Sequence, residues 1–173
     1  MKVLETIDLI LNKLGGGRHI FPTCDNLACG DPEMEVTGIV TTFMVTVEVI
    51  HKTIACGANL IITHEPTWFN GDDHTDWCQN DSVYLAKRNM LEENHIAVWR
   101  FHDHMHSGTA VDYIYSGIIQ ELGWRAYLRD DEQQPWVYEI PETTLKEFSL
   151  WLKKKFEMEY LRTVGNPDCR IQR

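Results

Sequence analysis

Apolar residues recur along the chain in two different periods, and the changes between them mark its elements. Leu4, Ile7, Leu11 and Leu14 step by three and four, the stripe of an amphipathic helix. Gly15-Gly16-Gly17 ends it. An irregular loop follows from His19 to Pro32, with Asp25-Asn26 and Asp31-Pro32 as turn chemistry. Val36 to Phe43 is rich in β-branched residues and predicts a buried strand. Thr46 then caps a helix with Val47, Ile50 and Ile54 on one face and Gly57 at its end. Asn59 to Thr63 predicts a second strand, so the segment is a βαβ unit with parallel strands. His64-Glu65-Pro66 sits at the carboxyl end of that strand.

The same periods continue downstream. Trp68 to Asn80 is polar and reads as a loop. Asp81 or Ser82 caps a helix through Glu93, with Val83, Ala86 and Met90 expected on its inner side. Ile96 to Phe101 is a third apolar strand. Val111, Ile114, Ile118 and Leu122 mark another helix, closed by Gly123. Trp136 to Ile140 alternates like a strand, and Thr143-Thr144 introduces a helix bearing Leu145, Phe148, Leu152 and Phe156. Tyr160 to Val164 reads as a further strand, and Cys169 to Arg173 as the start of another element. The expected fold is α/β, a layered α/β/α arrangement with a parallel or mixed sheet built from βαβ units. Residues 1–128 are expected to form a metal-binding lobe. Residues 129–173 are expected to be an incomplete second lobe or a continuation of the first, with a soft boundary near Arg129 to Pro135.

The chemistry concentrates just after the third strand, in R-F-H-D-H-M-H-S from Arg100 to Ser107. In an extended chain His102, His104 and His106 share one face; in a helix His102 and His106 do. Either way two imidazoles enter the same space, and clustered imidazole and carboxylate groups suit a divalent transition metal. Ligands of open α/β sheets bind outside the carboxyl ends of parallel strands. Both His64-Glu65 and His102 to His106 fall there. The remaining histidines, His19, His51, His74 and His95, are isolated and read as surface or structural residues.

Several familiar motifs fail. H-E-x-x-H needs a helix and a second histidine, but Pro66 and Trp68 occupy those positions. Zinc-deaminase, phosphate-loop, dinucleotide and nucleophile-elbow patterns are also absent. Asp103 to Ser107 is similar to the D-x-H-x-H-S opening of PHP-type phosphoesterases. A barrel of that kind needs about 200 residues or more and places the motif after its first strand.

Composition narrows the classes. The chain has 173 residues, 43% hydrophobic and 24% charged, ordinary for a globular domain. A net charge of −10 argues against a nucleic-acid partner. The five cysteines have no C-x-x-C spacing and suit reduced thiols. No leader pattern or long apolar run appears, so a cytoplasmic protein without a membrane partner is expected.

Three blocks carry a resemblance to a known family. D-N-L-A-C-G-D-P-E-M-E-V-T-G-I-V, G-A-N-L-I-I-T-H-E-P-T-W-F and H-I-A-V-W-R-F-H-D-H-M-H agree in order and spacing with the Nif-three-like family. Its members are also called GTP cyclohydrolase I type 2 homologues. The resemblance implies a dinuclear metal centre, with ligands from a His-His-Pro motif, a His-Thr-Asn-x-Asp motif, and a His and Glu near the C-terminus. Carried over, His64 and Glu65 match the histidine pair. His102 matches the histidine of the later motif, and His106 its terminal aspartate. Glutamate and histidine have thus changed places with their counterparts. His104 is an extra candidate ligand, and Asp103 could orient an imidazole.

No histidine follows His106, so the chain is expected to be an N-terminal fragment of a longer, oligomeric (typically hexameric) protein. The implied cofactors are divalent ions: zinc, iron or manganese. The implied activity is hydrolysis of a nucleotide-like, phosphorylated or heterocyclic substrate. The competing expectation is a non-catalytic metal-handling or protein-interaction factor.

Overall fold

The strands expected from the apolar runs lie side by side. In the computed structural model, which describes residues 1–14, 20–107, 112–130 and 137–172, β2 (Ile39–Thr42), β3 (Leu60–Thr63) and β4 (Ala97–Arg100) are parallel neighbours. Thr42 pairs with Thr63 and Thr63 with Arg100, so the three carboxyl ends are level. A short strand, β1 (Leu27–Cys29), runs antiparallel along the outer edge of β4, giving the order β1-β4-β3-β2. It lies within the stretch expected to be an irregular loop. Three residues are too few to show a period. Gly30, at φ +98°, lets the chain pass β4, where a Cβ would come within 2.5 Å of the Ala97 Cα.

Alternation along the strands builds two cores. On one face Leu60, Ala97 and Trp99 meet Val3 and Ile7 of helix α1 (Val3–Leu14). On the other, Ile61 and Val98 meet Ile50 of α2 (Val47–Ala55) and Leu91 of α3 (Ser82–Glu93). This is the expected α/β/α layering with a mixed sheet. Thr46 caps α2 by accepting from the Val49 N–H, and Asp81 caps α3 by accepting from Val83 and Tyr84.

The inner face of α3 differs from expectation. Met90 packs against the core as expected, but Ala86 is exposed and Val83 is 64% exposed, while Tyr84 and Leu91 are the buried residues. Lys87 lies between them and interrupts the apolar stripe. Its Nζ donates to the Thr67 carbonyl and sits 5.6 Å over the Trp68 ring. A lysine on the inner side whose head meets a carbonyl hides the buried face from a simple count of apolar residues.

The chain divides into two compact units, Met1–Ile114 and Tyr115–Arg173. The division falls within α5 (Tyr113–Leu122). In the second unit β5 (Leu128–Asp130) pairs with β6 (Val137–Tyr138), and β7 (Thr143–Thr144) with β8 (Arg170–Ile171). Thr144 and Glu147 form a capping box on α6 (Leu145–Lys155). The rings of Phe148 and Trp151 on this helix stack on Trp124 at 5.8 and 5.7 Å. Tyr160 to Val164 forms no strand; β7 pairs with β8 instead, and Tyr160 and Val164 stand 82% and 85% exposed. The Gly15-Gly16-Gly17 stop, Val111 and Trp136 lie outside the described residues.

Candidate metal centre

The segments that leave the carboxyl ends of β3 and β4 make the site. His64 is the first residue past β3, and its N–H donates to the Thr42 carbonyl at 3.2 Å. The residue is 8% exposed, and its ring lies against Phe43. The Arg100 guanidinium, buried beneath, donates to the carbonyls of His64 and Gly71 and fixes the loop. His102 comes two residues after β4. The chain then turns into a short helix, α4 (Asp103–Ser107), which carries His106.

Three imidazoles meet there. His64 and His102 stack with centroids 4.4 Å apart, and His106 stands edge-on to them at 5.0 and 4.9 Å. His64 Nε2 and His106 Nε2 are 3.3 Å apart, and one nitrogen from each of the three lies within 4.8 Å of the others.

A five-residue helix does not hold by itself; Asp25 holds this one. Its carboxylate, 4% exposed, accepts from the main-chain N–H groups of His102 (2.8 Å), Asp103 (2.6 Å) and His104 (3.2 Å). It thus caps α4 from a distant part of the chain, with its charge at the favourable end of the helix. His104 completes this clasp. Its Nδ1 lies 2.7 Å from Asp25 Oδ2, and its Nε2 accepts from the Ile20 N–H at 3.1 Å. Since Nε2 accepts, Nδ1 carries the hydrogen.

The five expected ligands therefore separate. His64, His102 and His106 come together. His104 does not join them: both its nitrogens are used, and its ring is buried against the loop. Glu65 is half-buried beside His64, but its carboxylate is not among the converging atoms.

Carboxylates stand behind two of the three rings. Asp112 meets His106 Nδ1 at 2.8 Å, and Asp103 meets His102 Nδ1 at 3.2 Å. Such partners orient imidazole ligands and raise their basicity. Burial pushes the Asp103 carboxyl up, but hydrogen bonds from the Cys24 N–H, the Thr23 hydroxyl and His102 outweigh it and hold it down at about 2. Burial, then the neighbouring His102 and His106, push His64 below the ordinary histidine value, which favours the neutral ring a metal requires. Among the described residues its buried Nδ1 has no hydrogen-bond partner.

These residues fit a divalent ion. With Nδ1 of His106 donating to Asp112, its Nε2 presents a lone pair towards His64 Nε2. Two nitrogens about 2.0–2.1 Å from a tetrahedral ion would lie about 3.3 Å apart, close to the observed spacing. A second group, Cys24, His102 and Asp103, also has its ligand atoms within 4.8 Å of one another. Asp112, Cys24 and the clasping role of Asp25 are not expected from the sequence. The nearness of Asp112 to His106 gives a local sign, and Asp25-Asn26 opens the first block that resembles the family, though turn chemistry alone accounts for that pair.

A three-histidine cluster at the carboxyl ends of parallel strands, backed by carboxylates, marks an α/β protein whose side chains could hold a metal ion. The chain belongs to the Duf34/NIF3 (NGG1p interacting factor 3) family, whose model matches residues 22–173. A GTP cyclohydrolase 1 type 2 homolog of Clostridium acetobutylicum is 28% identical over 154 residues, covering 84% of this chain and 56% of that protein. This chain thus spans little more than half the length of that curated relative. The fold is shared with a Bacillus cereus protein related to NIF3 (TM-score 0.73, 14% identity, 99% of this chain and 75% of that one). It is also shared with reduced HcgD from Methanocaldococcus jannaschii (TM-score 0.54, 19% identity, 90% and 60%). The PHP resemblance stays confined to the Asp103–Ser107 run. Among the described residues no helix is long and apolar enough to cross a membrane.

Proposed function

We propose that the protein binds a divalent transition metal through His64, His102 and His106 and acts as a metal-dependent hydrolase. The observation that carries this is the convergence of three imidazoles at the ends of β3 and β4, with Asp112 and Asp103 on the outer nitrogens of His106 and His102. A divalent ion there supplies a Lewis acid for a phosphoryl or carbonyl oxygen and a source of hydroxide at neutral pH. The chain's own residues do the rest. Asp112 and Asp103 keep two rings aimed inward. Asp25 keeps α4 in place, and Arg100 keeps the His64 loop in place. The half-buried rings of His102 and His106 leave one side of the site open to a substrate. The substrate class we favour is a phosphorylated or heterocyclic small molecule, following the name of the Clostridium relative. Zinc, iron and manganese are the ions to test first.

The experiment is metal analysis of the purified chain beside assays on phosphoester and cyclic amidine substrates. The expected result is bound metal and metal-dependent turnover, with His64→Ala removing both. Unchanged metal in His64→Ala overturns the site. Metal without turnover on any substrate favours a metal-handling role instead.

A further inference from the structure

We propose that Cys24, His102 and Asp103 form a second, thiolate-containing metal subsite beside the three-histidine group. The inference adds to the metal reading above and shares His102 with it; the ion would sit between His102 Nδ1 and Asp103, in place of the hydrogen bond that now joins them. The Cys24 Sγ, a nitrogen of His102 and a carboxylate oxygen of Asp103 lie within 4.8 Å of one another, all on half-buried residues. The local bonding already arranges them. Asp103 Oδ2 accepts from the Cys24 N–H at 2.7 Å and from the Thr23 hydroxyl at 2.9 Å. That leaves Oδ1 facing His102 Nδ1 at 3.2 Å. The loop bearing Cys24 is tied to the start of α4 through the next residue, Asp25. All three ligands are therefore on segments held together before any ion arrives, the arrangement a metal site needs.

The donor set identifies the class of ion. Sulfur, imidazole and carboxylate together select zinc or cobalt over magnesium, calcium or manganese, which prefer oxygen. Binding forms a metal–sulfur bond and releases the Cys24 thiol proton to solvent; with the histidine group also filled, the His102 Nδ1 proton that now faces Asp103 leaves too, two protons per ion. Cys29, Cys56, Cys78 and Cys169 belong to neither metal-ligand group.

The test uses the full chain loaded with Co(II). The expected spectrum contains a near-ultraviolet thiolate-to-cobalt charge-transfer band, lost in Cys24→Ser and kept in His64→Ala. An independent measurement on the unmutated chain is alkylation by iodoacetamide, read by peptide mass. Zn(II) is expected to slow Cys24 by about tenfold or more, while the exposed Cys56 and Cys169 react at unchanged rates. Cobalt bound without a thiolate band, or no protection of Cys24, overturns the subsite and leaves the three-histidine reading standing. A thiolate band that disappears in His64→Ala also overturns it, because Cys24 would then serve the histidine-bound ion. No cobalt bound by any form overturns both proposals.

Discussion

Asp25 supports the centre without facing its interior. It satisfies three main-chain donors of α4 and pairs with the buried His104. Asp25→Ala strands those groups, and a loss of about 3 kcal/mol or more is expected in urea unfolding. Asp112→Asn keeps the shape but not the charge behind His106. It is expected to weaken zinc binding about 10- to 100-fold in a chelator competition. Glu65→Gln is expected to retain the ion in metal analysis; its loss would place Glu65 among the ligands. The three converging histidines are legible in the sequence because clustering and strand ends both point to them. His104 departs from expectation for a geometric reason. Alternate residues share a face only in an extended chain, and here the segment is a helix, where positions four apart share one. His102 and His106 therefore face inward while His104 turns to the loop.

Capping, at the scale of single elements, is the most readable feature. Residue type alone places Thr46 at the start of α2, and its hydroxyl accepts from the Val49 N–H. Thr46→Ala is expected to cost about 1 kcal/mol in thermal or urea unfolding. In α6 the Glu147 carboxyl is held below its ordinary value by the Thr144 N–H and the hydroxyls of Thr144 and Thr143. A carboxylate lowered on folding adds stability that is fully present above its unfolded value of 4.5 and is lost as pH falls through the folded value. The N-terminal turn of α6 is therefore expected to weaken slightly as pH falls below 4.5, and Glu147→Gln to flatten that dependence in a helicity titration. Sequence periodicity does not show β1, because pairing with β4 is a long-range event, or the buried face of α3, because Lys87 lies in it. Gly30→Ala tests the first directly. A Cβ 2.5 Å from the Ala97 backbone at positive φ should displace β1 and lower the unfolding midpoint.

Taken as a whole, the molecule places a local motif under distant control. The layered fold follows from the apolar runs of β3 and β4, since a strand buried on both faces needs helices on both. The centre does not follow in full, because its supports come from residues far apart in the chain: Asp25 and His102 are 77 positions apart. That separation has a consequence in time. The βαβ units from Ile39 to Arg100 join neighbouring stretches of chain and close short loops, whereas β1 and the Asp25 clasp must wait for β4 and α4 to be in place. Refolding should therefore pass through a stage in which the parallel sheet is formed but the histidines have not met. In pulsed hydrogen exchange, the amides of Ala97 and Phe101, which donate to Asn59 and Thr63, are expected to gain protection before that of Arg100, which donates to Asn26, and before those of Leu27–Cys29 and His102–His104. Metal added during refolding would then be captured late, after the sheet has formed.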